Sequence, residues 1–349
     1  MPNAAASAPH EKNRTAGDNG TEDRGKLVHV ESCRSDPDAN LDRPPADSVS
    51  SAELPFLQGL EPLPAVREVA MAGGRAAWLT VKCPYKPAAN EDAVAVIPAG
   101  DQQGLLVVAD GLGGHRGGRR ASQLMKTNLQ RAVQKKQPVA PLALMISGIV
   151  PIPCRVETEA RPDPRTTILN EIERVNQRLL RSRIGAATTL ALVEIQGRRV
   201  RSYHVGDSEI LIVSQRGRLK FSSISHSPIG YAVESGMLTE EEALFHPDRH
   251  LVSNVIGSDQ MSVELGPWIT LSPRDTVLLA SDGLFDNLMQ GEIIEYIRKG
   301  KLSDCVQQLA ELARNRMLFP GLDSPSKPDD LTILVYRGGT TSPRRAESA

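Results

Sequence analysis

Acidic side chains recur in this chain at one kind of place, the end of an apolar run. Asp110 closes the run 105–109 and is followed by Gly111-Leu112-Gly113-Gly114-His115. Asp282 closes 277–281 and precedes Gly283. Asp329 and Asp330 stand just before 331–336, and Glu91 and Asp92 just before 93–97. Asp207 lies in Gly206-Asp207-Ser208, between two further apolar runs. A carboxylate at the end of a buried strand is held on a rigid support, which exacting chemistry requires. Carboxylates gathered in one cleft repel one another, and divalent cations are the usual means of neutralising them. Oxygen-only ligands select hard ions such as Mg²⁺ or Mn²⁺. Glycines beside Asp110 and Asp282 let the backbone approach an ion or a phosphate, and the Gly111 carbonyl can itself serve as a ligand. Taken singly, an Asp-Gly pair is most often a turn. The repeated placement points to a metal site, although spacing alone leaves open whether these residues converge.

The elements that must position them are mostly strands. Alternating or wholly apolar runs predict strands at 92–97, 105–108, 188–195, 200–205, 210–213, 218–221, 276–280 and 331–336. Gln196-Gly197 and Arg216-Gly217 are the turn signals that separate two pairs of them. Helices are expected at 119–134, 166–181, 292–298 and 303–317. Ile168, Ile172, Val175 and Leu179 line one face of the second, and Val306, Leu309 and Leu312 one face of the last. Thr239-Glu240-Glu241-Glu242 has the form of a capping box opening a short helix. Strands in consecutive runs, with helices between some of them, predict an α+β fold of stacked sheets flanked by helices rather than regular βαβ alternation. Residues 1–58 and 339–349 are polar and poor in large apolar side chains, so they read as disordered tails around a domain at 59–338. The proline-rich stretch 137–164 reads as a surface insertion.

The 349 residues are 40% hydrophobic, enough for a sizeable core, and carry a formal net charge of −1 from 41 basic and 42 acidic residues. That balance argues against a nucleic-acid partner. Cys33, Cys83, Cys154 and Cys305 match no disulfide or zinc spacing. The longest apolar stretch, around 138–153, is too short and broken to span a bilayer. The N-terminus shows no secretory apolar segment, so a cytoplasmic location is expected.

Taken in order, these blocks resemble the metal-dependent protein phosphatase family of the 2C type. The similarity rests on Asn90-Glu91-Asp92-Ala93 and on Val107-Val108-Ala109-Asp110-Gly111-Leu112-Gly113-Gly114-His115. It continues through Gly185-Ala186-Ala187-Thr188-Thr189 and His204-Val205-Gly206-Asp207-Ser208. Ser281-Asp282-Gly283-Leu284-Phe285-Asp286 and Asp329-Asp330-Leu331-Thr332 complete it. The Gly-Gly-His form resembles bacterial members. The resemblance implies an αββα sandwich, two stacked antiparallel β-sheets flanked by α-helices, with two Mn²⁺ or Mg²⁺ ions, and a third in some members, in a cleft at one end. It implies that Asp110 bridges the two ions, that Asp282 and Asp329 bind the first, and that Gly111 binds the second through its carbonyl. Glu91 and Asp92 would act on the metals directly or through water, Asp207 would help with a third ion, and His115 would be the general acid. The implied activity is hydrolysis of phosphoserine and phosphothreonine in a protein substrate by direct attack of a metal-activated water. The expected protein is a monomer that opposes a Ser/Thr kinase and needs no membrane or nucleic acid.

Three positions depart from the family pattern. Pro87 stands where an arginine often grips the substrate phosphate, and the adjacent Lys86 can offer a point charge there but not a bidentate fork. Glu209 follows Gly-Asp-Ser where a basic residue is common, and Ser225 precedes His226 where Asp is common. Two rival readings follow: a catalytically weakened binding or scaffold module, and another two-metal hydrolase such as a phosphodiesterase. The resemblance implies that residues 227–249 correspond to the family's substrate-selecting flap beside the cleft.

Overall fold

The computed structural model describes residues 62–113, 117–134, 163–321 and 324–339. The expected N-terminal tail, the expected insertion as far as residue 162, and the C-terminal tail beyond Gly339 lie outside the described residues, as does His115.

In chain order the elements are β1 (Arg67–Met71), β2 (Gly74–Val81), β3 (Ala93–Gly100), β4 (Gln103–Ala109), β5 (Gly111–Leu112), α1 (Gly117–Gln134) and α2 (Pro164–Ser182). Then come β6 (Ala187–Thr188), β7 (Leu190–Gln196), β8 (Arg199–Val205), β9 (Glu209–Val213), β10 (Leu219–Ser222), α3 (Pro228–Glu234) and α4 (Glu240–Leu244). The last are β11 (Glu264–Leu265), β12 (Ile269–Thr270), β13 (Thr276–Ala280), α5 (Asp282–Phe285), α6 (Gln290–Ile297), α7 (Leu302–Leu318) and β14 (Leu331–Gly338). One sheet runs β1-β2-β14-β13-β9-β10 and the other β11-β8-β7-β4-β3, with β12 also on β8. The pairings are antiparallel, and β5 and β6 form a separate short ribbon. Among the described residues no helix is long and apolar enough to cross a membrane.

Both faces of the central strands are covered, and this explains their apolar runs without alternation. In β4, Leu106 and Val108 pack between the sheets, whereas Leu105 and Val107 face α1 and α2. In β13, Val277 and Leu279 enter the same inter-sheet core, while Leu278 and Ala280 meet α6 and α7. The order of layers is therefore helix, sheet, sheet, helix, the sandwich implied by the resemblance.

Three expectations need correction. The strands β1 and β2 were not foreseen. Arg67–Met71 and the start of β2, Gly74-Arg75-Ala76-Ala77, carry weak strand preference, and their turn is Ala72-Gly73, both with positive φ, the tight hairpin geometry that few residues enter readily. The run 188–195 is not one strand. It breaks at Thr189, whose N–H leaves the ladder to donate to the Asp110 carbonyl at 2.9 Å. The segment 227–249 holds two α-helices and the start of a 3₁₀ helix at Pro247–His250, not one short helix. Ser227 caps α3, and the Thr239–Glu242 capping box opens α4 as expected.

Candidate active site

Strand register brings the acidic residues to one end of the sandwich. Ala93 pairs with Ala109 across β3 and β4, so Asp92 and Asp110 lie at the same edge. Ala280 pairs with Ile333 on one side and Glu209 on the other. Asp282, Asp329 and Asp207 therefore emerge together from the second sheet. The two sheets are joined here by Ser281, whose Oγ donates to Asp92 Oδ2 at 2.8 Å and accepts from the Thr332 N–H at 3.0 Å.

The backbone around the carboxylates is held as firmly. Asp110 donates its N–H to Thr189 Oγ1 at 2.9 Å, and its carbonyl accepts from Thr188 Oγ1 at 2.7 Å. Asp330 accepts from the N–H groups of Cys83 and Glu91, each at 2.8 Å. The Glu91 carbonyl accepts from Ser122 Oγ on α1 at 2.5 Å. The first turn of α1 lies directly on the site, because a Cβ at Gly118 would stand 2.4 Å from the Gly111 carbonyl oxygen and 2.8 Å from Glu91 Oε1. Only glycine permits that approach.

The charges share one field. Burial, and then Asp92, Asp282, Asp329 and Asp207, push the Asp110 carboxyl well above the carboxylate range. Burial and then Asp282 do the same to Asp329. Burial followed by the Asp330 charge raises Asp92 to about 7, and burial followed by Asp282 raises Asp207 to about 7. Glu91 Oε1, Asp92 Oδ1, Asp207 Oδ1 and Asp282 Oδ1 are buried and lack a hydrogen-bond partner. Buried acceptors left unpaired are costly and uncommon. Oxygen atoms in this state, on residues that repel one another, fit hard divalent cations.

Of the sequence candidates, Glu91, Asp92, Asp110, Gly111, Asp207, Asp282 and Asp329 come together. Lys86 also reaches the site, with its ammonium 2.5 Å from Glu91 Oε2 and 2.8 Å from Asp330 Oδ2. Burial opposes that charge, yet the two carboxylates outweigh it and the net shift is upward. Sequence reasoning gave no role to Ser281, Thr189, Asp286 or Lys327. The signal for Asp286 was its place four residues after Asp282, which repeats on one helix face. Nothing in the pattern marks Lys327.

A second group of ligand-type residues lies behind Gly206: His204, His226 and Glu264. His204 Nδ1 is buried without a partner, but the hydrogen bonds of His226, the central ring, argue against a metal. His226 Nδ1 faces the Gly206 N–H at 3.2 Å and the Asn254 amide nitrogen at 2.9 Å. Asn254 is oriented by Ser262, whose carbonyl accepts from its nitrogen and whose N–H donates to its oxygen. Nδ1 is thus an acceptor, and the ring proton sits on Nε2, 3.0 Å from Glu264 Oε2. A nitrogen that carries its proton is not a ligand.

An αββα sandwich whose strand ends deliver buried, unpartnered carboxylate oxygens into one cleft is the framework of a metal-dependent hydrolase. The comparisons narrow this class: the family model "Protein phosphatase 2C" matches residues 83–317, and the chain belongs to that family. It is 29% identical over 253 residues to the serine/threonine phosphatase stp of Listeria welshimeri, an alignment that covers 70% of this chain and 89% of that one. The solved serine/threonine phosphatase of S. agalactiae superposes with a TM-score of 0.59 at 27% identity, covering 76% of this chain and 99% of the other. The catalytic domain of the phosphatase PstP, solved in complex with two manganese ions, shares the fold at a TM-score of 0.57 and 24% identity, over 76% of this chain and 97% of that one.

Proposed function

We propose that this chain is a metal-dependent protein serine/threonine phosphatase that hydrolyses phosphoserine and phosphothreonine monoesters with Mn²⁺ or Mg²⁺. The observation that carries this reading is the set of buried oxygens without partners at Glu91, Asp92, Asp207 and Asp282, gathered around Asp110. Asp110 would bridge two ions, with Asp282 and Asp329 on the first and Glu91 and the Gly111 carbonyl on the second. Asp92, tied to Ser281, would orient water at the ions. When bound, the ions supply a water that ionises near neutral pH and neutralise charge on the phosphoryl oxygens. Lys86 contributes one positive charge at the cleft edge, shared between Glu91, Asp330 and an arriving phosphate. His115 would return the proton to the Ser or Thr alkoxide. The substrate is a phosphoprotein made by a Ser/Thr kinase, and the protein acts as a monomer in the cytoplasm.

The test is hydrolysis of p-nitrophenyl phosphate and of a phosphothreonine peptide with Mn²⁺, with Mg²⁺ and with EDTA. Metal-dependent turnover of both monoesters establishes the reading. Metal binding without turnover replaces it with the binding-module alternative. A preference for diesters replaces it with a phosphodiesterase.

A further inference from the structure

Lys327 places a buried ammonium among the carboxylates of the cleft. Its Nζ donates to Asp282 Oδ2 at 2.7 Å and to Asp286 Oδ2 at 2.5 Å, and the side chain is 13% exposed. Asp286 follows Asp282 by one helical turn across α5, so the two carboxylates form a pincer on one face. Asp207 and Asp329 also feel the Lys327 charge.

This lysine does not reach in from a loose surface segment. Its backbone is clamped on both sides by the fully buried Asn287. The Lys327 N–H donates to Asn287 Oδ1 at 2.8 Å, and its carbonyl accepts from Asn287 Nδ2 at 2.8 Å. Asn287 also donates to the Gly283 carbonyl at 3.0 Å, which anchors the same clamp to α5. The position of the ammonium is thus set by the fold. It leaves Asp282 divided: Oδ2 is taken by Lys327, and Oδ1 has no partner.

We infer that Lys327 is a built-in cation that occupies the outer edge of the cleft between Asp282 and Asp286, and that it excludes a divalent ion from that edge. This rests on the two-ion reading above. Two of the three ammonium donors are spent on Asp282 and Asp286. The charge that a third ion would supply is already covalently present, so no concentration of Mn²⁺ is needed to neutralise this edge. The inner ions then bind to a cleft whose outer wall is ordered before they arrive.

The experiment counts bound Mn²⁺ by titration calorimetry and electron paramagnetic resonance on the full chain. Four proteins are compared: the wild type, Lys327→Met, Lys327→Arg, and Lys327→Met combined with Asp286→Ala. The expected result is two ions in the wild type and in Lys327→Arg, a third in Lys327→Met, and two again when Asp286 is removed as well. Melting in EDTA should fall for Lys327→Met and recover on addition of Mn²⁺ and in Lys327→Arg. Three ions in the wild type overturn the inference. So does a folded Lys327→Met that binds two ions with wild-type affinity. If Lys327→Met does not fold, Asp286→Asn decides the matter: a count unchanged at two supports the inference, and a lost ion overturns it. A wild type that binds no Mn²⁺ fails earlier, at the two-ion reading itself.

Discussion

Two clusters of ligand-type side chains lie close together in this molecule, and only one of them is built for ions. The strand-end carboxylates repel one another and retain buried oxygens with nothing to bond. The His204–His226–Glu264 group holds the residue types of a zinc site within reach of one another. Yet its central ring accepts from two N–H groups and spends its proton on Glu264. Ligand identity is shared by the two regions, and the difference is one of degree: four carboxylate oxygens are left without a partner in the first, and one imidazole nitrogen, His204 Nδ1, in the second. A site prepared for a cation is one the protein leaves unfinished.

The sharpest way to break this contrast is to remove a carboxylate from the centre of the cleft. Asp110→Ala or Asp282→Ala should abolish detectable turnover and lower the Mn²⁺ count, while His226→Gln leaves the count unchanged. A His226→Gln protein that folds and loses an ion would reverse the assignment of the two clusters.

His115→Asn should lower kcat on a phosphothreonine peptide by roughly 10²–10⁴-fold, the usual size of a general-acid contribution. It should affect p-nitrophenyl phosphate much less, because that leaving group departs without a proton. Equal losses on both substrates would remove His115 from that role.

Thr189→Val probes how Asp110 is held. It deprives the Asp110 N–H and Ser208 Oγ of a buried partner, at a cost of about 1–3 kcal/mol of stability. Chemical denaturation with and without Mn²⁺ measures that cost, and kcat should fall because the bridging carboxylate loses its anchor.

The metal-free protein should also lose stability as the pH rises. Asp92 and Asp207 sit at about 7 and Glu209 at about 8, all raised chiefly by burial from ordinary values of 3.8 and 4.5. Groups raised in this way bind more protons folded than unfolded. Their contribution is complete below the ordinary carboxylate pKa and is lost as pH climbs through 7 and 8. Melting in EDTA from pH 5 to 9 should slope downward, by about 2–4 °C for each kcal/mol lost, and saturating Mn²⁺ should flatten the slope. A flat curve in EDTA would mean that the carboxylates are not packed against one another.

The smallest effect belongs to the other cluster. Glu264→Gln keeps an acceptor for His226, and Glu264 is substantially exposed, so the change should be under about 1 kcal/mol. The Mn²⁺ count and kcat should not move.

Much of this organisation is legible in the chain itself. Apolar runs covered on both sides announce β4, β13 and β14, and the acidic residues at their ends mark the cleft, because burial and strand length are local properties of composition. The capping box of α4 and the turns at Gly197 and Gly217 are equally local. The Ala72-Gly73 hairpin was not legible, because small residues there carry little strand preference and gain their order from pairing with β14. Convergence was not legible either. It depends on register between strands as distant as Ala93 with Ala109 and Ala280 with Glu209, and register is a tertiary choice. Two further facts belong to the tertiary structure alone. A lysine two residues before Asp329 looks like any solvated charge until Asn287 clamps its backbone and Asp282 and Asp286 close on its ammonium. Two histidines and a glutamate look like ligands until the N–H groups around His226 show where its proton sits. The order of residues along the chain settles which side chains are available and what the strands bury. Only the fold decided which of their oxygens and nitrogens are left without a partner, because that depends on atoms far apart in the chain.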